Sequence, residues 1–157
     1  MAGQAHKKLF ALIIGINNYE DNKIPNLKGC VNDSTNVVNF LTEKFPPEQL
    51  RIKHLTNEGA TRKDILSAFE NHLIGNDEIN PQDPILFFFA GHGSSELGPK
   101  GIMETICPYD ERSTKTQSKP VRGIPDRTYD SLMRRLASIK GDNIVSVQFY
   151  LYAIMAT

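Results

Sequence analysis

Pro84-Ile85-Leu86-Phe87-Phe88-Phe89-Ala90-Gly91-His92-Gly93 carries the strongest structural signal in the chain. Residues 85–90 form an unbroken apolar run that starts after a proline and stops at a glycine, a strand's length rather than a helix's. Continuous apolar character, with no polar residue at every second position, predicts a strand covered on both faces, as in a parallel sheet. Residues 9–16 (LFALIIGI) repeat the pattern and end at Asn17-Asn18. Between these two runs, residues 31–45 place Val37, Val38, Leu41 and Phe45 at helical spacing before Pro46-Pro47 stops the helix. Residues 51–56 (RIKHLT) are short and alternating, which suits a strand nearer the sheet edge. Thr61 and Asp64 resemble a capping box, with Ile65, Phe69, His72 and Leu73 as the stripe behind it.

Beyond the glycines, residues 94–126 are polar and rich in Gly, Pro, Lys and Thr, and read as one long loop region. Tyr129, Leu132, Met133 and Leu136 then mark a helix over 127–139, and residues 144–155 read as a strand. Strands alternating with helices predict a single α/β domain over 1–157, a doubly wound, mostly parallel sheet with helices on both faces. Chemistry in such sheets collects beyond the carboxyl ends of the strands. That directs attention to residues 17–33 and 91–96.

Composition narrows the partners. Lysine plus arginine and aspartate plus glutamate number 18 each, so a zero net charge supplies no field for nucleic acid or an anionic membrane. No apolar run is long enough to span a bilayer. The basic residues 1–8 precede residues 9–16 without a small-x-small cleavage site, so this run reads as a strand, not a signal peptide. Two cysteines make no disulfide framework, and the expected location is the reducing cytoplasm. The first strand is followed by Gly15-Ile16-Asn17-Asn18 instead of a phosphate-binding glycine loop, which disfavours a nucleotide module. His6, His54, His72 and His92 are too widely spaced for a zinc motif, so no metal and no cofactor is expected.

The candidate catalytic residue is His92. A histidine between two glycines at a strand's end is expected to be exposed and approachable. A neutral imidazole there serves as general base or acid near neutral pH. Gly93, having no side chain, lets its N–H approach a developing oxyanion. The tripeptide alone reads equally as a turn carrying a solvent-facing histidine.

Four blocks together resemble the caspase and metacaspase family of cysteine endopeptidases, its fungal metacaspase-like branch in particular. They are Ala11-Leu12-Ile13-Ile14-Gly15-Ile16-Asn17-Asn18-Tyr19, Leu27-Lys28-Gly29-Cys30-Val31-Asn32-Asp33, Phe88-Phe89-Ala90-Gly91-His92-Gly93-Ser94 and Glu104-Thr105-Ile106-Cys107-Pro108-Tyr109-Asp110. The resemblance covers about residues 8–143 and implies a caspase-like large-subunit fold acting on peptide or protein substrates. It implies that His92 is the catalytic histidine and that Gly93 supplies an oxyanion-hole N–H. It also implies that Cys30 and Asp33 line the substrate pocket, an acidic group there selecting arginine or lysine. Read from the residues alone, Asp33 is equally a partner of a helix N-terminus. Cys30 reads as a buried packing residue rather than a nucleophile.

The family's nucleophile follows the next strand in an Asp-x-Cys motif, with the caspase histidine about 50 residues upstream. That interval leads from His92 into residues 140–157, which contain no cysteine. The expectation is a C-terminally truncated member with a non-family tail over 144–157. It would be inactive without a thiolate, or would work as a pseudoenzyme that binds active caspase-like relatives. One explanation is a transcript read through an intron, since Val145-Ser146 is encodable by a donor-like GTxAGT.

Overall fold

The computed structural model describes residues 7–99 and 101–155. The reading of residues 1–6 and the last two residues of the tail lie outside them. Strand β1 (Leu9–Gly15) pairs in parallel with β2 (Leu50–Thr56) on one side and with β3 (Ile85–Gly98), the middle strand of the sheet, on the other. Alternation explains its composition. Phe10, Leu12 and Ile14 enter one core layer, while Leu9, Ala11 and Ile13 enter the other. In β3, Ile85, Phe87 and Phe89 join the first layer, and Phe88 and Ala90 the second. Both faces are covered, so no polar position is called for. Each fully buried phenylalanine or leucine contributes on the order of 1.5–3 kcal/mol.

Helix α1 (Cys30–Lys44) links β1 to β2 and packs on the second layer through Cys30, Val37, Val38 and Leu41. Helix α2 (Arg62–Ala68) is capped by Thr61, whose hydroxyl accepts from the Asp64 N–H at 3.1 Å, and continues as a π-helical turn (Phe69–Ile74). Together with α3 (Asp126–Lys140) it covers the first layer, where the Phe69, Phe87 and Tyr129 rings meet.

Residues 94–126 are not one long loop. Strand β3 runs on to Gly98 and turns back as β4 (Gly101–Ile106), and β5 (Ile124–Pro125) adds to β4. This hairpin projects past the end of β1, where little covers it. Leu97 and Ile102 are largely exposed, and no alternating pattern arises to announce the strands. Strand β6 (Ile144–Met155) occupies the tail and pairs in parallel with β3 from Ile85 to Ser95, with a register shift at Gly93/Ser94. No helix among the described residues is long and apolar enough to cross a membrane.

Candidate active site

His92 sits where β3 exchanges one neighbour for another, since β1 pairs with it as far as Ala90 and β4 begins at Gly93. Across this gap the His92 N–H donates to the Tyr19 hydroxyl at 2.8 Å, and the His92 carbonyl accepts from the Cys107 N–H at 3.1 Å. The Tyr19 ring lies 5.2 Å from the imidazole, tilted by 42°. Gly91 makes room for this. A Cβ there would lie 2.8 Å from Phe89 Cζ and 3.2 Å from the Tyr19 hydroxyl.

The expectation of an exposed histidine in an open turn is corrected here, because His92 is 1% exposed and lies within the strand. Nδ1 is 2.8 Å from the carbonyl oxygen of Leu151, its register partner on β6, and Nε2 is 2.8 Å from the carbonyl oxygen of Pro25. The cover therefore has two sources: β6 passes alongside the histidine, and the loop after β1 folds onto its other edge. Carbonyl oxygens only accept, so a neutral ring donates to one of them, and donation to both requires a second ring proton. A general base needs a nitrogen lone pair turned toward a substrate proton. Neither nitrogen is turned that way in this arrangement. Gly93 pairs with Ile106 of β4 and Tyr152 of β6, inside the sheet rather than at the lip of a turn.

Cys30 is buried in the α1 layer, and burial, followed by the nearby Asp33 carboxylate, pushes its thiol above the usual range. Asp33 is exposed on the first turn of α1, its N–H donating to Gly29 O at 2.8 Å. Neither residue is among the hydrogen-bond partners of His92. The two segments singled out in the sequence, 17–33 and 91–96, do meet, but through Tyr19 and Pro25. Neither is among the candidate site residues of the sequence. Tyr19 had a legible signal, an aromatic just beyond a buried strand; the carbonyls of Pro25 and Leu151 carry no side-chain signature.

Close to Tyr19 lies a buried polar group comprising Ser94, Cys107 and Glu111. Ser94 Oγ and Glu111 Oε2 are buried without a hydrogen-bond partner among the described residues. Burial lifts the Glu111 carboxyl above the usual carboxylate range. Burial, reinforced by Glu111, drives the Cys107 thiol far above its ordinary value. A thiol held that way is a poor nucleophile.

Residues 7–138 match the family model of the metacaspase, peptidase C14 domain. The chain belongs to the metacaspase family of caspase-like proteases. It is 29% identical over 120 residues to metacaspase-2 of Arabidopsis thaliana, covering 69% of this chain and 28% of that protein. With metacaspase-1 of Cryptococcus neoformans the identity is 34% over 118 residues, 68% of this chain and 25% of that one. With metacaspase-1B of Neurospora crassa it is 30% over 131 residues, 80% and 29% respectively. The chain thus spans about a quarter of the length of these relatives. The crystal structure of protein GSU0716 from Geobacter sulfurreducens superposes with a TM-score of 0.65 at 19% identity, covering 92% of this metacaspase chain and 50% of that one. The shared fold is the caspase-like α/β sheet. Strand β6, which closes over His92, lies beyond the matched residues.

Proposed function

We propose that this metacaspase chain carries the histidine half of a cysteine endopeptidase site, and that residues 1–157 by themselves do not hydrolyse peptide bonds. The observation behind this reading is His92, with both ring nitrogens against backbone carbonyls and no accessible thiol among its contacts. The sequence has only Cys30 and Cys107, both buried and both with thiols pushed upward. Without a thiolate no acyl-enzyme forms. In a complete site His92 would be the base, Gly93 an oxyanion donor, and Cys30 and Asp33 part of a pocket for arginine or lysine. The test is incubation with fluorogenic arginyl and lysyl peptide amides and with a peptidyl fluoromethyl ketone. The expected result is no turnover above buffer and no covalent adduct by mass spectrometry. Turnover that disappears in His92→Ala would overturn the reading.

A second reading, a non-catalytic partner of active relatives, draws support from β6. Val145, Phe149 and Leu151 on this strand are more than half exposed, so it offers apolar surface to another protein. Adding the chain to an active metacaspase and following the rate tests it. An unchanged rate at saturating concentration counts against this role.

A further inference from the structure

Away from His92, a cavity of about 990 Å³ opens between the start of α2 and residues 116–122. Arg62 and Lys63 contribute to one wall and Lys119 to the other, and none of the three takes part in an ion pair among the described residues. Arg122 also lines the cavity, but Glu96 engages it at 2.6 Å. Arg62 Nε is buried and without a hydrogen-bond partner among the described residues. One acid among the described residues lies in the lining, Asp110, whose Oδ1 accepts from the Arg62 backbone N–H at 2.7 Å, and the cations outnumber it. Leu66, Pro120 and Val121 add an apolar floor.

The outer wall is held in place. Arg112 N–H donates to Val121 O at 2.8 Å and Val121 N–H donates to Ser113 O at 2.9 Å, closing the base of the segment that carries Lys119. The cations thus stand on a pinned loop and a capped helix, partly arranged before any ligand arrives.

We infer that this cavity is a binding site for an acidic peptide segment, separate from the histidine site. A guanidinium with a buried, unpartnered N–H and two unpaired ammonium groups calls for carboxylates or phosphates. The volume far exceeds one phosphate, and the apolar floor suits a ligand with apolar side chains between its charges. Nucleic acid fits less well, because no aromatic side chain among the described residues lines the cavity to stack a base, and the chain's net charge is zero.

The experiment is fluorescence anisotropy of the full chain with a labelled octapeptide of alternating glutamate and leucine. Four competitors are used: the unlabelled acidic peptide, the same peptide with glutamine for glutamate, inorganic pyrophosphate, and a single-stranded oligonucleotide. The acidic peptide should bind with an affinity that weakens as salt rises, and the glutamine peptide should not compete. Arg62→Gln and Lys119→Gln should each weaken binding by about tenfold, the scale of one charge-assisted contact. Lys119 lies on an exposed loop, so its variant stays interpretable even if Arg62→Gln disturbs folding. Absence of binding, or binding unchanged in Lys119→Gln, overturns the site. Stronger competition by pyrophosphate or by the oligonucleotide than by unlabelled acidic peptide overturns the assignment to a peptide.

Discussion

Around His92 the decisive groups are single atoms. The Tyr19 hydroxyl accepts the His92 N–H in a buried position, so Tyr19→Phe leaves that donor unpaired. An unsatisfied buried donor costs about 1–3 kcal/mol. Urea unfolding of Tyr19→Phe should show a loss on that scale, and an unchanged midpoint would mean the N–H finds another partner. Glu111 gives a prediction in pH. Its carboxyl is raised by burial and, less, by the Glu96 carboxylate, against the lowering pull of Cys107, Ser94 and Arg112, so the folded state holds the proton more tightly than the unfolded chain. A raised acid contributes stability that is complete below its unfolded value of about 4.5 and is lost as pH climbs through the folded value. Glu111→Gln removes that loss. Relative to the parent protein, its melting temperature should be raised at pH 8 and nearly equal at pH 4.5. An identical shift at both pH values would mean that ionisation of Glu111 is not the cause. Of this neighbourhood, His92 was legible because its flanking glycines follow an apolar strand. Its burial was not, since backbone carbonyls from two distant segments close over it.

Legibility among the elements follows coverage. Strand β1 and the first half of β3 were readable because both faces are buried and the sequence shows it as unbroken apolar runs. The second half of β3 was not, because Gly91-His92-Gly93 imitates a turn and the hairpin beyond it has an open face. Strand β6 shows the other consequence of coverage. Its 12 residues contain no charge, proline or glycine, and among the described residues it neighbours β3 alone, outside the linear strand order. Edge strands are ordinarily guarded by charges or prolines against pairing with another chain. The parent protein should therefore associate as its concentration rises. Val145→Lys combined with Leu151→Lys should hold it monomeric in sedimentation velocity while changing the melting temperature little, since both side chains are more than half exposed. A monomeric parent protein over the same range would mean that the edge is protected in solution.

For the molecule as a whole, the sheet divides the core into two layers, and one cysteine lies in each. Cys107 belongs to the layer under α2 and α3 and is wholly buried beside Glu111. Cys30 belongs to the α1 layer, but it is the first residue of that helix, with Gly29 before it and no side-chain cap on the helix. Helix ends fray at little cost, whereas the centre of a core opens only with the whole fold. The doubly covered sheet was legible from apolar runs alternating with amphipathic ones. This difference between the two thiols was not, because it depends on which layer each element enters. Thiol titration with Ellman's reagent should find almost no fast-reacting thiol in native buffer and both in concentrated urea. At urea concentrations below the unfolding transition, Cys30 should react first, and its rate should exceed what the global unfolding equilibrium allows. Cys107 should follow that equilibrium at every concentration, since its thiolate forms only when burial is relieved. If Cys107 reacts in native buffer at the rate of an unfolded peptide thiol, the polar group beside Tyr19 is open to solvent. The closed environment of His92 would then fall with it, because Tyr19 and the Cys107 N–H hold that segment of β3 from the same side.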